Sequence, residues 1–153
     1  GAALEIASRE NLPRYQTLQN HYNLVERKDF EGTVQALCVK EQVSGLHYFG
    51  LARGFLTGKY RSAEDAGKSP RGPAVVERYV NDRGFRMLAA LDAVAKRTGA
   101  AHGEIALAWL NAQPGTGGPI ASATSVEQVA SLARGARLTL SGEDLAQLDA
   151  AGK

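Results

Sequence analysis

The chain has 153 residues, 44% of them hydrophobic and 22% charged, with a net charge of +2. Size and composition are those of one ordinary soluble domain, and the weak, scattered positive charge argues against nucleic acid as a partner. No apolar run reaches the roughly 18 residues of a membrane helix, and the lone Cys38 excludes an internal disulfide, so the expected location is cytoplasmic.

In chain order, the opening "GAALEIASRENL" lacks the cationic and apolar regions of a secretory signal and reads as a helix stopped by Pro13. "YQTLQNHYNL" has the β-branched and aromatic content of a buried strand. "EGTVQALCVKEQ" places Val34, Leu37 and Cys38 on one helical face, with Cys38 as a small core residue. After a break at Ser44-Gly45, "LHYFGLA" reads as a second strand. Residues 61–83 are polar and hold Pro70 and Pro73, which predicts a long flexible loop, a lid or flap. Helical period returns at Gly84, with Phe85, Leu88, Leu91 and Val94 on one face. "GEIALAWLNAQ" is a further helix carrying Ile105, Ala108 and Trp109, and "GPIASAT" a third strand. "SVEQVASLARG" has a capping box of Ser125 with Gln128 and a terminal Gly135, and "SGEDLAQLDAAG" closes the chain behind Ser141 as N-cap.

Strands alternating with helices predict an α/β fold with parallel strands, whose ligands lie at the carboxyl ends of those strands. "QNHYN", "FGLARG" and "SATSVEQ" all fall there. Within "HYFGLARGFLTGKYR", Gly54 and Gly58 are separated by three residues and Tyr60 follows Lys59. A phosphate-transferring P-loop needs four intervening residues and a hydroxyl after the lysine. The dinucleotide fingerprint is absent as well. Spacing alone therefore leaves open a loop that merely needs glycine at positive φ.

The residues themselves say more. "YFGLARGFLTGKY", "LPRYQTLQNHYNLVER", "GEIALAWLNAQPG" and "PIASATSVEQVASL" resemble, in order, four segments of the aldo-keto reductase family. The resemblance implies the C-terminal portion of a (β/α)8 barrel, about three parallel strands with flanking helices and not a closed barrel on its own. On that reading residues 1–153 are a single partial domain. It also implies an oxidoreductase that uses NADP(H) to reduce a small-molecule carbonyl substrate. Gln19 would bind the nicotinamide carboxamide and Tyr48 would stack on the ring. Phe49, Gly50, Leu51 and Gly54 would pass the pyrophosphate, with Lys59 and Arg71 closing over its charge. Thr124 and Gln128 would reach the adenosine end near the 2′-phosphate. The sequence departs from the family at Gly50, usually proline or alanine, and at Arg53, often a small residue. Ser131 and Leu132 replace a Glu-Asn pair that contacts adenine.

The family's Asp, Tyr, Lys and His of carbonyl reduction come from early strands that precede residue 1 on this alignment, so no catalytic residue is assigned here. Tyr15, Tyr22, Tyr60 and Tyr79, with His21, His47 and His102, match no part of that tetrad. His47 reads as a packed strand histidine, and no metal spacing is present. The expected partner is the missing N-terminal half of the barrel. Three strands alone leave open edges that favour self-association. The alternative is a non-catalytic nucleotide-binding or remnant domain.

Overall fold

The computed structural model describes residues 1–152. The elements in order are α1 (Ala2–Arg9), β1 (Thr17–His21), α2 (Thr33–Glu41) and β2 (Ser44–Tyr48). Two short 3₁₀ segments follow (Ala52–Thr57 and Ala63–Lys68), then α3 (Gly72–Tyr79), α4 (Asp82–Thr98), α5 (His102–Asn111), β3 (Thr116–Pro119), α6 (Val126–Arg137) and α7 (Gly142–Gly152). The strands form one parallel sheet in the order β1-β2-β3, with Gln19 opposite Leu46 and His21 opposite Tyr48. This is the expected open α/β sheet.

The two faces of the sheet differ. Gly45 and His47 are buried, whereas Thr17, Gln19, Ser44 and Tyr48 are exposed on the other face. His47 is enclosed by Phe30 and Tyr22, at ring-centroid distances of 4.6 and 5.0 Å. Its Nδ1 bonds Asn20 Oδ1 and its Nε2 bonds Thr116 Oγ1, both at 3.0 Å, so one side chain links all three strands. The packed strand histidine is confirmed.

Helix α5 is the centre of the core, buried from Glu104 to Leu110. Its Ala-rich sequence lets α4, α6 and the sheet approach closely. The Trp109 indole N–H donates to Asp149 Oδ1 at 3.0 Å, and Arg27 pairs with the same carboxylate at 3.0 Å while lying over the indole. These contacts seal α7 onto the segment after β1.

Several boundaries differ from expectation. Ser44 and Gly45 belong to β2 instead of preceding it, and β1 is exposed along one face instead of buried. The third strand is Thr116–Pro119, beginning two residues before the expected 118–124 stretch and ending five before its end, because its pairing with β2 sets the register. Phe85 is exposed, and Met87 takes the core-facing place on α4. Gly135 lies inside α6, buried against the backbone of Glu104. Residues 61–83, expected as an irregular loop, carry a 3₁₀ segment and α3. Pro73 sits in the first turn of α3, where its missing N–H costs nothing. Val75 and Tyr79, one turn apart, bury α3, and Tyr79 stacks on Phe55 at 5.2 Å. Gly72 is required at the joint. A Cβ there would stand 1.9 Å from the Ala66 carbonyl oxygen.

Candidate functional site

The carboxyl ends of β1 and β2 meet in a run of tight turns. Phe49, Ala52 and Arg53 have φ of +56, +48 and +57°, and Gly54 has +95°. Left-handed backbone at non-glycine residues costs free energy and concentrates where surrounding contacts impose it. At Phe49 that contact is Asn23. Fully buried just past β1, Asn23 accepts the N–H groups of Val25 and Glu26 at Oδ1, both at 2.9 Å, and donates from Nδ2 to the Phe49 carbonyl at 2.9 Å. It thereby locks the β1 exit to the β2 exit.

Around this clamp the expected residues fall into three groups. Gln19 and Tyr48 lie on the exposed face of adjacent strands, with His21 between them, stacked on Tyr48 at 5.4 Å and 14°. Phe49 meets both rings edge-on. On the turn that follows, a Cβ on Gly54 would come 3.3 Å from Lys59 Cε and 3.5 Å from its Nζ. The absent side chain lets the Lys59 chain lie against the Gly54 backbone, its ammonium 5.0 Å from the Tyr60 ring centroid and without a carboxylate partner among the described residues. The N–H groups of Gly50 and Leu51 meet no acceptor among the described residues. At the start of α6, Gln128 Oε1 accepts from the Thr124 N–H at 2.8 Å and its hydroxyl at 3.2 Å, while Ser125 Oγ caps the Gln128 N–H. Gln128 therefore reaches back one residue beyond the capping box expected of it.

Gly50 is buried against α5 and β3: a Cβ there would come 3.2 Å from a Leu110 methyl, with Pro119 and Leu107 at ordinary contact distance. Arg71 opens α3, whose place is fixed by Tyr60 OH on Ser69 and by Arg78 and Tyr79 on Glu26. Among the described residues no hydrogen bond joins its guanidinium to the other candidates. The Gly58–Arg61 turn is held by a two-pronged pair of Arg61 with Asp92 at 2.6 and 2.9 Å, which His102 also joins. The Arg61 guanidinium, with His102 beside it, holds the Asp92 carboxyl down at about 2. Arg53 stacks its guanidinium over Phe49 at 4.7 Å. Ser131 has a structural use: it donates to Glu104, which also binds Arg134, and so ties α6 to α5.

A cleft of about 430 Å³ lies between α1 and α2, lined by Glu5, Arg9, Lys40 and Glu41, and it contains none of the motif residues.

The sequence model described as "Aldo/keto reductase family" matches residues 2–153. The chain belongs to the aldo/keto reductase family. It is 32% identical over 148 residues to "Protein tas" of Escherichia coli (strain K12), covering 96% of this chain and 42% of that protein, and equally so to "Protein tas" of Shigella flexneri. The thermostable aldo-keto reductase Tm1743, solved with the inhibitor epalrestat, superposes with a TM-score of 0.68 at 26% identity, over 97% of this chain and 43% of that one. The chain thus spans less than half the length of the proteins it matches, and its open three-stranded sheet matches part of an aldo-keto reductase barrel. Asn23, the clamp, was missed as a site residue. Its signal was present in "YNL", an asparagine just past a strand, where side-chain turns form.

Proposed function

We propose that this chain is the cofactor-binding side of an NADP(H)-dependent oxidoreductase that reduces aldehydes or ketones to alcohols. Protein outside these 153 residues contributes the proton-donating groups and the remaining barrel strands. The observation that carries the reading is the shared exposed face of Gln19 and Tyr48 at the carboxyl ends of adjacent strands, followed in the chain by the Gly54–Lys59 turn.

NADPH, when bound, supplies the hydride. The residues of this chain orient and hold it. Gln19 offers both a donor and an acceptor, the complement of a carboxamide. Tyr48, its ring braced by His21, presents a flat face to a pyridine. Gly54 admits a phosphate oxygen beside the Lys59 ammonium, and the free N–H groups of Gly50 and Leu51 add donors of the kind that phosphates use. Phe49 fixes the turn through its carbonyl, and Arg71 adds charge from the start of α3. Thr124 and Gln128, at an exposed helix N-terminus, suit the adenosine 2′-phosphate end.

Calorimetric titration of the chain with NADPH tests the proposal. Saturable binding is expected, weakened roughly tenfold in Lys59→Ala by loss of a charge-assisted contact with the melting temperature unchanged. Absence of affinity at millimolar NADPH would favour a non-catalytic remnant instead.

A further inference from the structure

His21 is neither a member of the tetrad nor a core residue, and its environment fixes its chemistry. Asn23 Oδ1 is committed to the N–H groups of Val25 and Glu26, so the side-chain amide has one orientation. Its Nδ2 must therefore be the donor toward His21 Nε2, 3.3 Å away. An imidazole that accepts at Nε2 is neutral and carries its proton on Nδ1. Strand alternation puts this partly exposed ring on the face shared by Gln19 and Tyr48, and stacking against Tyr48 holds it there.

The surrounding charge has a sign. Four charged groups bear on the imidazole: Glu26, Asp29, Arg53 and Arg78. Arg78 and Glu26 neutralise one another at 2.7 Å. Arg53 has no carboxylate partner among the described residues; its guanidinium rests on Phe49, whose ring is 5.6 Å from His21. A neutral donor and an unpaired cation therefore stand beside one exposed aromatic cluster. Burial, the largest influence, keeps the imidazole below its ordinary pKa, consistent with the neutral form.

We infer that His21 is a specificity-determining residue: its Nδ1–H donates to a carboxylate carried by the carbonyl substrate, with Arg53 as the accompanying cation. The inference rests on the proposed reductase reading.

Two measurements on the chain separate its failure from failure of that reading. Long-range ¹⁵N–¹H correlation at pH 7 reports the tautomer without any ligand. Protonated Nδ1 and bare Nε2 are expected at His21, and an Nε2–H tautomer or an imidazolium overturns the inference whatever the cofactor does. With NADP⁺ at saturation, 4-carboxybenzaldehyde and benzaldehyde are then titrated as probes. His21→Phe keeps the stack but removes the donor, and should weaken the carboxylated probe roughly tenfold while leaving benzaldehyde within twofold. His21→Gln, which restores a donor, should recover most of the loss. Equal affinity of wild type and His21→Phe for the carboxylated probe overturns the inference while NADP⁺ binding still upholds the reading. Failure of NADP⁺ to bind, with the expected tautomer present, sinks the reading instead.

Discussion

Acidification from pH 7.5 to 4.5 should destabilise the fold chiefly through His47. Its Nδ1–H donates to Asn20 Oδ1, since the Asn20 amide nitrogen is committed to the His21 carbonyl, and its Nε2 accepts from the Thr116 hydroxyl. Burial among Tyr22 and Phe30 brings its pKa down from 6.5 to about 4. The unfolded chain takes up a proton as pH falls through 6.5, and the folded chain resists until near 4. Stability is therefore full above pH 7 and falls across that window. Integrating the proton uptake gives a loss of about 2.5 kcal/mol at pH 4.5, a large share of the 5–15 kcal/mol typical of a domain. Carboxylates held low, such as Asp92 at about 2, give up their contribution only below this range, as pH falls from 3.8. His21, also lowered, adds loss of the same sign, so the variant His47→Gln is needed to isolate the effect. Urea unfolding at pH 7.5, 6.5, 5.5 and 4.5 gives the curves. The wild type should lose about 2.5 kcal/mol more over the series than His47→Gln. Parallel curves would refute the account of a neutral buried imidazole.

Gly72→Ala forces a Cβ to within 1.9 Å of the Ala66 carbonyl and should cost about 1–3 kcal/mol in urea unfolding, whereas Gly67→Ala, with open space around it, should cost under about 1 kcal/mol. Asn23→Ala strands the Val25 N–H, leaves the Glu26 N–H only its bond to the Asn23 carbonyl and frees the Phe49 carbonyl; a loss of about 1–3 kcal/mol is expected, with NADPH affinity falling together with the ordered turn. Ser131→Ala removes one of the hydrogen bonds on Glu104 and should lower stability by about 1 kcal/mol in the same assay without changing NADPH affinity. A large affinity change in Ser131→Ala would show that this position contacts the cofactor.

Legibility from sequence followed the strength of each local signal. The helices α4 and α5 were readable because their apolar residues recur over several turns, although Phe85 beside Met87 left the face ambiguous by two residues. Strand β3 was misplaced because "TGGP" has almost no strand preference, and its pairing with β2 supplies what its composition lacks. Helix α3 was hidden among glycines and prolines, yet Pro73 in its first turn and the Val75–Tyr79 pair marked it. The site divides in the same way. Gly54, Lys59, Thr124 and Gln128 were visible as motif residues close in sequence. Asn23 reaches Phe49 across 26 positions, and no local pattern reports such a contact. Residues that departed from the family pattern proved informative. Gly50 packs against α5, Ser131 joins two helices, and Arg53 sits on an aromatic ring.

The most direct test of the central claim is an NMR titration of the ¹⁵N-labelled chain with NADPH, read residue by residue. Saturable shifts should cluster at Gln19, Tyr48, Gly50, Gly54, Lys59, Thr124 and Gln128, along the carboxyl ends of the three strands. Shifts confined to Glu5, Arg9, Lys40 and Glu41 in the cleft between α1 and α2, or none at all, would contradict it.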